Sequence, residues 1–153
     1  MSALLSRPRQ HLWRSASLAI VGTVLAALIG PRGPFGGFWA PAPEAPQAHG
    51  ALLAAFVGEN LVESVAFGIG LAILVVGRRW FTERMAGQSR ATAAWLAAVW
   101  LLASWMPHAA LHLHIGLRPA SLLVVEWVFH GGAIVAILVL LWALLAPHPR
   151  HAG

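Results

Sequence analysis

Three short stretches of the chain carry titratable pairs at the same spacing: "ENLVE" at 59–63, "HAALH" at 108–112 and "EWVFH" at 126–130. On an α-helix, positions four apart lie on one face, so Glu59 with Glu63, His108 with His112, and Glu126 with His130 each form a polar pair. Three carboxylates and three imidazoles are hard and borderline donors of the kind that hold Fe, Zn, Mn or Cu(II). The same groups in line are the usual parts of a proton relay. The chain has no cysteine and three methionines, so thiolate sites and disulfides are excluded and a soft Cu(I) site is poorly supplied.

The elements that must position these pairs are membrane-spanning. Hydrophobic residues make up 59% of the 153 residues and charged residues 10%, and the mean hydropathy is +0.73. Such values lie outside the range of soluble domains. Apolar runs at about 15–30, 50–77, 91–115 and 120–146 predict four transmembrane helices in a single membrane domain, with the first run marginal in length. The expected fold is all-α, a polytopic four-helix bundle running up-down-up-down. "SASLAIVGTVLAALIG" behind "RPRQHLWR" also fits a signal peptide, but no small-residue cleavage motif follows promptly, the nearest loose candidate being "APQA" near residue 48. A retained helix is the favoured reading.

The basic residues are all arginine. Arg7, Arg9, Arg14, Arg78, Arg79, Arg84, Arg90 and Arg150 fall on one side of the expected spans, and only Arg32 and Arg118 on the other. This bias predicts a bacterial inner-membrane protein with both termini cytoplasmic. It also accounts for the net charge of +5 without any nucleic-acid partner.

The outer connection 31–49 has five prolines together with Phe35, Phe38, Trp39 and His49, which rules out regular helix and suggests an interfacial lid. "GLRPA" allows only a tight turn, with Gly116 stopping one helix and Pro119 starting the next, so the last two spans are expected to be antiparallel neighbours. Gly22 with Ala26, and Ala66 with Gly70, are small residues four apart that permit close helix approach. Pro107 is expected to free the carbonyl of Ala103 and bend the helix beside His108.

Counting in from the outer ends at about 1.5 Å per residue, all six site residues fall between about 6 and 20 Å deep, in the outer half of the bilayer. An ionised group at mid-span costs about 3 kcal/mol on insertion scales, so three unpaired glutamates are not tolerable without compensation. One compensating arrangement is a transition-metal site, even a di-metal carboxylate-histidine centre as in soluble four-helix bundles, although the spacing there is Glu-x-x-His and here Glu-x-x-x-His. A second is a structural or proton-relay network in a transporter component or accessory subunit of a larger membrane complex. The stretches below Glu63 and His130 lack titratable groups, which favours an outward-open half-channel over a full path. A third is a bis-histidine haem b between His108 or His112 and His130, with Gly131 and Gly132 making room for the ring. If the chain is an enzyme, a quinone or dioxygen is the kind of substrate the position suggests.

His114 lies on a different face from His112, and His49 is either an access ligand or a polar flank. Trp105 and Trp127 sit at the level of the polar layer, where an indole can wall it off or donate to a glutamate. His11, His148 and His151 belong to the tails.

Overall fold

The computed structural model describes residues 6–146 apart from 40 and 46, with side chains from Leu12 onward. Arg7, Arg9, His11, His148, Arg150 and His151, which entered the topology and tail readings, lie outside the described side chains.

Helix α1 covers Ser6–Ile29 and is followed by a connection with one 3₁₀ turn at Gly36–Trp39. A continuous helical rod then runs from Gly50 to Arg84 as α2 (Gly50–Ala72), a π turn (Ile73–Gly77) and α3 (Arg78–Arg84). Helices α4 (Gln88–Ala103) and α5 (Trp105–Ile115) form a pair bent by 44°. Last come α6 (Pro119–Glu126), a second π turn (Trp127–Gly131) and α7 (Gly132–Leu145). No strand occurs among the described residues. Three of these rods, Leu12–Ile29, Gly50–Arg84 and Pro119–Leu145, are long and apolar enough to cross a membrane, and the bent pair makes a fourth if it counts as one span.

The packing is inside out relative to a soluble protein. Within an 18-residue apolar stretch of each rod, only 11% is buried in the first and last and 28% in the middle one. The buried residues are mainly small, including Ala26, Ala91, Ala94, Ala97, Ala110, Ala136 and Ala143, while most leucines, valines and tryptophans point outward. Helices surrounded by hydrocarbon gain little from hiding apolar side chains, so they associate where small residues let backbones approach. Gly22 of α1 lies against Gly68 of α2, and Gly70 of α2 lies against the backbone of Ala103 in α4. Gly22 and Gly70 do what their spacing suggests; Gly68 is an additional contact point.

Polar backbone left open by irregular geometry is taken up by side chains. The π turn at Ile73 has its carbonyl bonded by Trp95 Nε1 at 2.8 Å. The C-terminal end of α7 is capped from α4, where the buried Arg90 donates Nε to Ala143 O at 2.6 Å and Nη2 to Ala146 O at 2.7 Å. Those carbonyls have no intrahelical partner, and a cation there also complements the helix dipole. The α4–α5 bend falls at Ser104, so Pro107 stands in the first turn of α5, where a missing N–H costs nothing. Gly116 adopts φ +62° at the end of α5, and Pro119 opens α6.

Gly68 offers a direct test of this packing. A Cβ there would stand 2.3 Å from Ala19 O and 2.3 Å from Thr23 Oγ1. Gly68→Val should lower stability by about 1–3 kcal/mol by forcing α1 from α2, whereas Gly58→Ala, with nothing within 4 Å, should leave it unchanged or raise it by up to about 1 kcal/mol. Thermal unfolding of the detergent-solubilised chain, followed by circular dichroism, distinguishes the two.

Candidate functional site

The α5–α6 turn folds the "HAALH" helix back against the "EWVFH" helix, and four of the six expected residues meet at that contact. Glu126 Oε2 is in direct polar contact with His130 Nδ1. Its other oxygen, Oε1, lies 3.3 Å from His112 Nε2. His112 Nε2 in turn is 2.9 Å from His108 Nε2. The loop closes spatially, because the His108 and His130 rings stand edge to face with centroids 4.8 Å apart.

Local structure explains why these groups reach one another. The residues from Trp127 to Gly131 form a π turn, whose wider winding brings positions four apart closer to a common line than an α turn does. His130 is thereby set beside Glu126. On α5, the regular α spacing places His108 and His112 with ring centroids 4.6 Å apart. Phe129 stacks on His108 at 4.9 Å, and Trp100 stacks on Phe129 at 5.9 Å, forming an aromatic wall on the side of α4.

Hydrogen-bond arithmetic makes His112 Nε2 the critical atom. It faces two polar partners, yet it carries either one N–H or one lone pair. Either a single proton is shared between His108 Nε2 and Glu126 Oε1, or a single lone pair serves two donors. The contact is therefore incompletely satisfied as a neutral hydrogen-bond network.

Glu59 and Glu63 are not in this contact. They line a separate pocket of about 190 Å³ with Pro31, Arg32, Phe56, Asn60, Ala109, Leu113 and His112, so His112 is common to both places. Glu63 is buried and Glu59 exposed. Among the described residues, no group of three or more His, Cys, Asp or Glu is arranged to hold a metal ion. His108 Nε2, His112 Nε2 and His130 Nδ1 are turned to one another or to Glu126.

Other expectations resolve individually. His114 is exposed, as its position on another face requires. His49 is exposed and ahead of α2. Trp105 and Trp127 both face outward, 59% and 73% exposed, and give the cluster no indole hydrogen bond. Gly132 does not leave room for a flat ring: a Cβ there would meet the Trp100 indole at 2.7 Å. Trp100 and Phe129 were not singled out from sequence, since an aromatic in an apolar run carries no sign of what it stacks against.

The connection 31–49 closes over the end of α5. Ala42 N donates to Leu113 O at 2.9 Å, and Gly116 lies under Ala42 and Glu44. Comparison with family models, curated proteins and solved structures finds no match for this chain.

Replacing Glu126 by glutamine keeps its shape and removes the charge. In ¹⁵N-histidine NMR, Glu126→Gln should move the ring-nitrogen resonances of both His130 and His112 and leave His49 in place; an unmoved His112 would rule out the shared carboxylate.

Proposed function

We propose that the protein is a small inner-membrane protein whose His108, His112, Glu126 and His130 bind a transition-metal ion for metal handling or redox chemistry. The observation that carries this reading is the shared position at His112 Nε2, where two further acceptor-capable atoms crowd around room for one proton. A divalent cation accepts several lone pairs at once and offsets the carboxylate charge, which a single proton does not. The donor set of imidazole and carboxylate suits Zn, Fe, Mn or Cu(II). Taking up an ion requires the imidazoles to turn from each other.

The placement follows the same logic. The arginines at 78, 79, 84 and 90 gather at the α3–α4 junction, at the other end of the rods from the connection 31–49. With that junction cytoplasmic, the four spans run up-down-up-down, both termini are inside, and the cluster lies in the outer half of the bilayer. A lipid-soluble molecule such as a quinone, or dioxygen, would reach it from that side.

A second reading is favoured by one specific observation, the unbroken sequence His130–Glu126–His112–His108 of polar contacts. In that reading the same residues form a proton-linked network in a transporter component or accessory subunit. A bis-histidine haem is disfavoured by the Trp100 indole over Gly132.

Elemental analysis of protein purified without chelators separates the two. The metal reading expects about one ion per chain and its loss in His108→Ala and His130→Ala, because deleting a ligand costs more than the about 10- to 100-fold typical of outer-shell changes. A metal-free parent that stays folded, and takes up no added Zn²⁺ or Mn²⁺, supports the network.

A further inference from the structure

A cavity of about 1070 Å³ lies between α1 and the rod formed by α2 and α3, away from the histidine cluster. Helices α1 and α2 meet where Gly68 packs on Ala19 and Thr23, and toward the α3 end a groove opens between them. Leu12, Ala16 and Ala19 line it from α1, and Ile69, Ile73 and Val76 from the facing rod. Spacings of three and four residues put each set on a single helix face. From Ile69 to Arg84 the groove follows about 22 Å of helix, about half the thickness of a bilayer with its headgroups.

Apart from Ser15, the polar lining is gathered at one end, where Arg79, Glu83 and Arg84 stand beside Trp80. Arg79 Nε donates to Glu83 Oε1 at 2.6 Å, so those two charges offset each other. Arg84 is placed differently. Its guanidinium lies over the Trp80 ring, 4.4 Å from the centroid, and among the described residues no carboxylate pairs with it. Stacking uses the flat face of a guanidinium and leaves its N–H edge, the fork that matches a phosphate, able to donate. Two arginines against one glutamate leave this end of the lining with a net charge of +1.

A long apolar groove closed at one end by a cation and a half-exposed tryptophan complements a molecule with a hydrocarbon tail and a negative head. Basic sites between membrane helices are recognised by anionic lipid headgroups in the same way. A neutral isoprenoid would fill the groove and give Arg84 nothing to pair with. The volume also exceeds the roughly 300–1,000 Å³ of pockets for compact ligands.

We propose that this groove binds one anionic phospholipid from the leaflet around the α3–α4 junction, with an acyl chain between α1 and α2 and the phosphate on Arg84. Such binding is independent of whether the cluster holds a metal. The lipid would brace α1 against α3 at the end of the rods opposite the Gly116–Pro119 turn.

Native mass spectrometry of the detergent-solubilised full-length chain, titrated with phosphatidylglycerol and with phosphatidylcholine of the same acyl chains, tests this. Both lipids carry the phosphate, but choline neutralises it in the second. The parent should hold one phosphatidylglycerol about fivefold more tightly than phosphatidylcholine, the scale of one arginine beside an anionic headgroup. Arg84→Gln should abolish that preference without weakening phosphatidylcholine, while Arg118→Gln, at the other end of the rods, should keep it. Ile69→Trp, which fills the tail groove, should weaken both lipids. Equal parental binding of the two lipids, or a preference that survives Arg84→Gln, overturns the proposal. So does undiminished phosphatidylglycerol binding in a folded Ile69→Trp protein, since surface charge alone would then hold the lipid; if that variant does not fold, the Arg84→Gln comparison decides.

Discussion

Glu126 is the constraint on which the polar region depends. Each oxygen of its carboxyl meets one imidazole, His130 on its own helix and His112 across the α5–α6 contact. Those contacts lie where α5 and α6 meet. The carboxyl also places His112 Nε2 between two partners when it can fully satisfy only one.

The rest of the architecture makes that contact persistent. Small residues bring α1, α2 and α4 close together, leaving the large apolar side chains to face outward. Arg90 ties the end of α7 to the start of α4, far along the chain from the cluster. The pairing of α4 with α7 therefore holds from one end while α5 and α6 are joined by a short turn at the other. The aromatic stack of Trp100, Phe129 and His108 links the two regions. Stacking on a flat ring orients the His108 imidazole without using its nitrogens, so Nε2 can meet His112.

Irregular helix geometry occurs where polar side chains meet or backbone polarity must be managed. The π turn at 127–131 aligns Glu126 with His130, and the π turn at 73–77 presents a carbonyl to Trp95. Neither was legible from residue types. The periodicity of an apolar run does not reveal an extra residue per turn, because hydrocarbon on every side removes the amphipathic pattern that would betray a change of phase.

What residue order alone determined was the all-helical character, the apolar spans, the turn at Gly116–Pro119 and the facial pairing of Glu126 with His130 and His108 with His112. These are local consequences of composition, of glycine and proline stereochemistry, and of helical spacing. Only the tertiary structure decided that Glu59 and Glu63 line a neighbouring pocket instead of joining the cluster, that the bend falls at Ser104, and that Trp100 occupies the space beside Gly132. Depth along a helix is set by counting residues, but the direction a side chain faces is set by how each helix rotates against its neighbours, and that rotation is chosen by contacts between residues far apart in the chain.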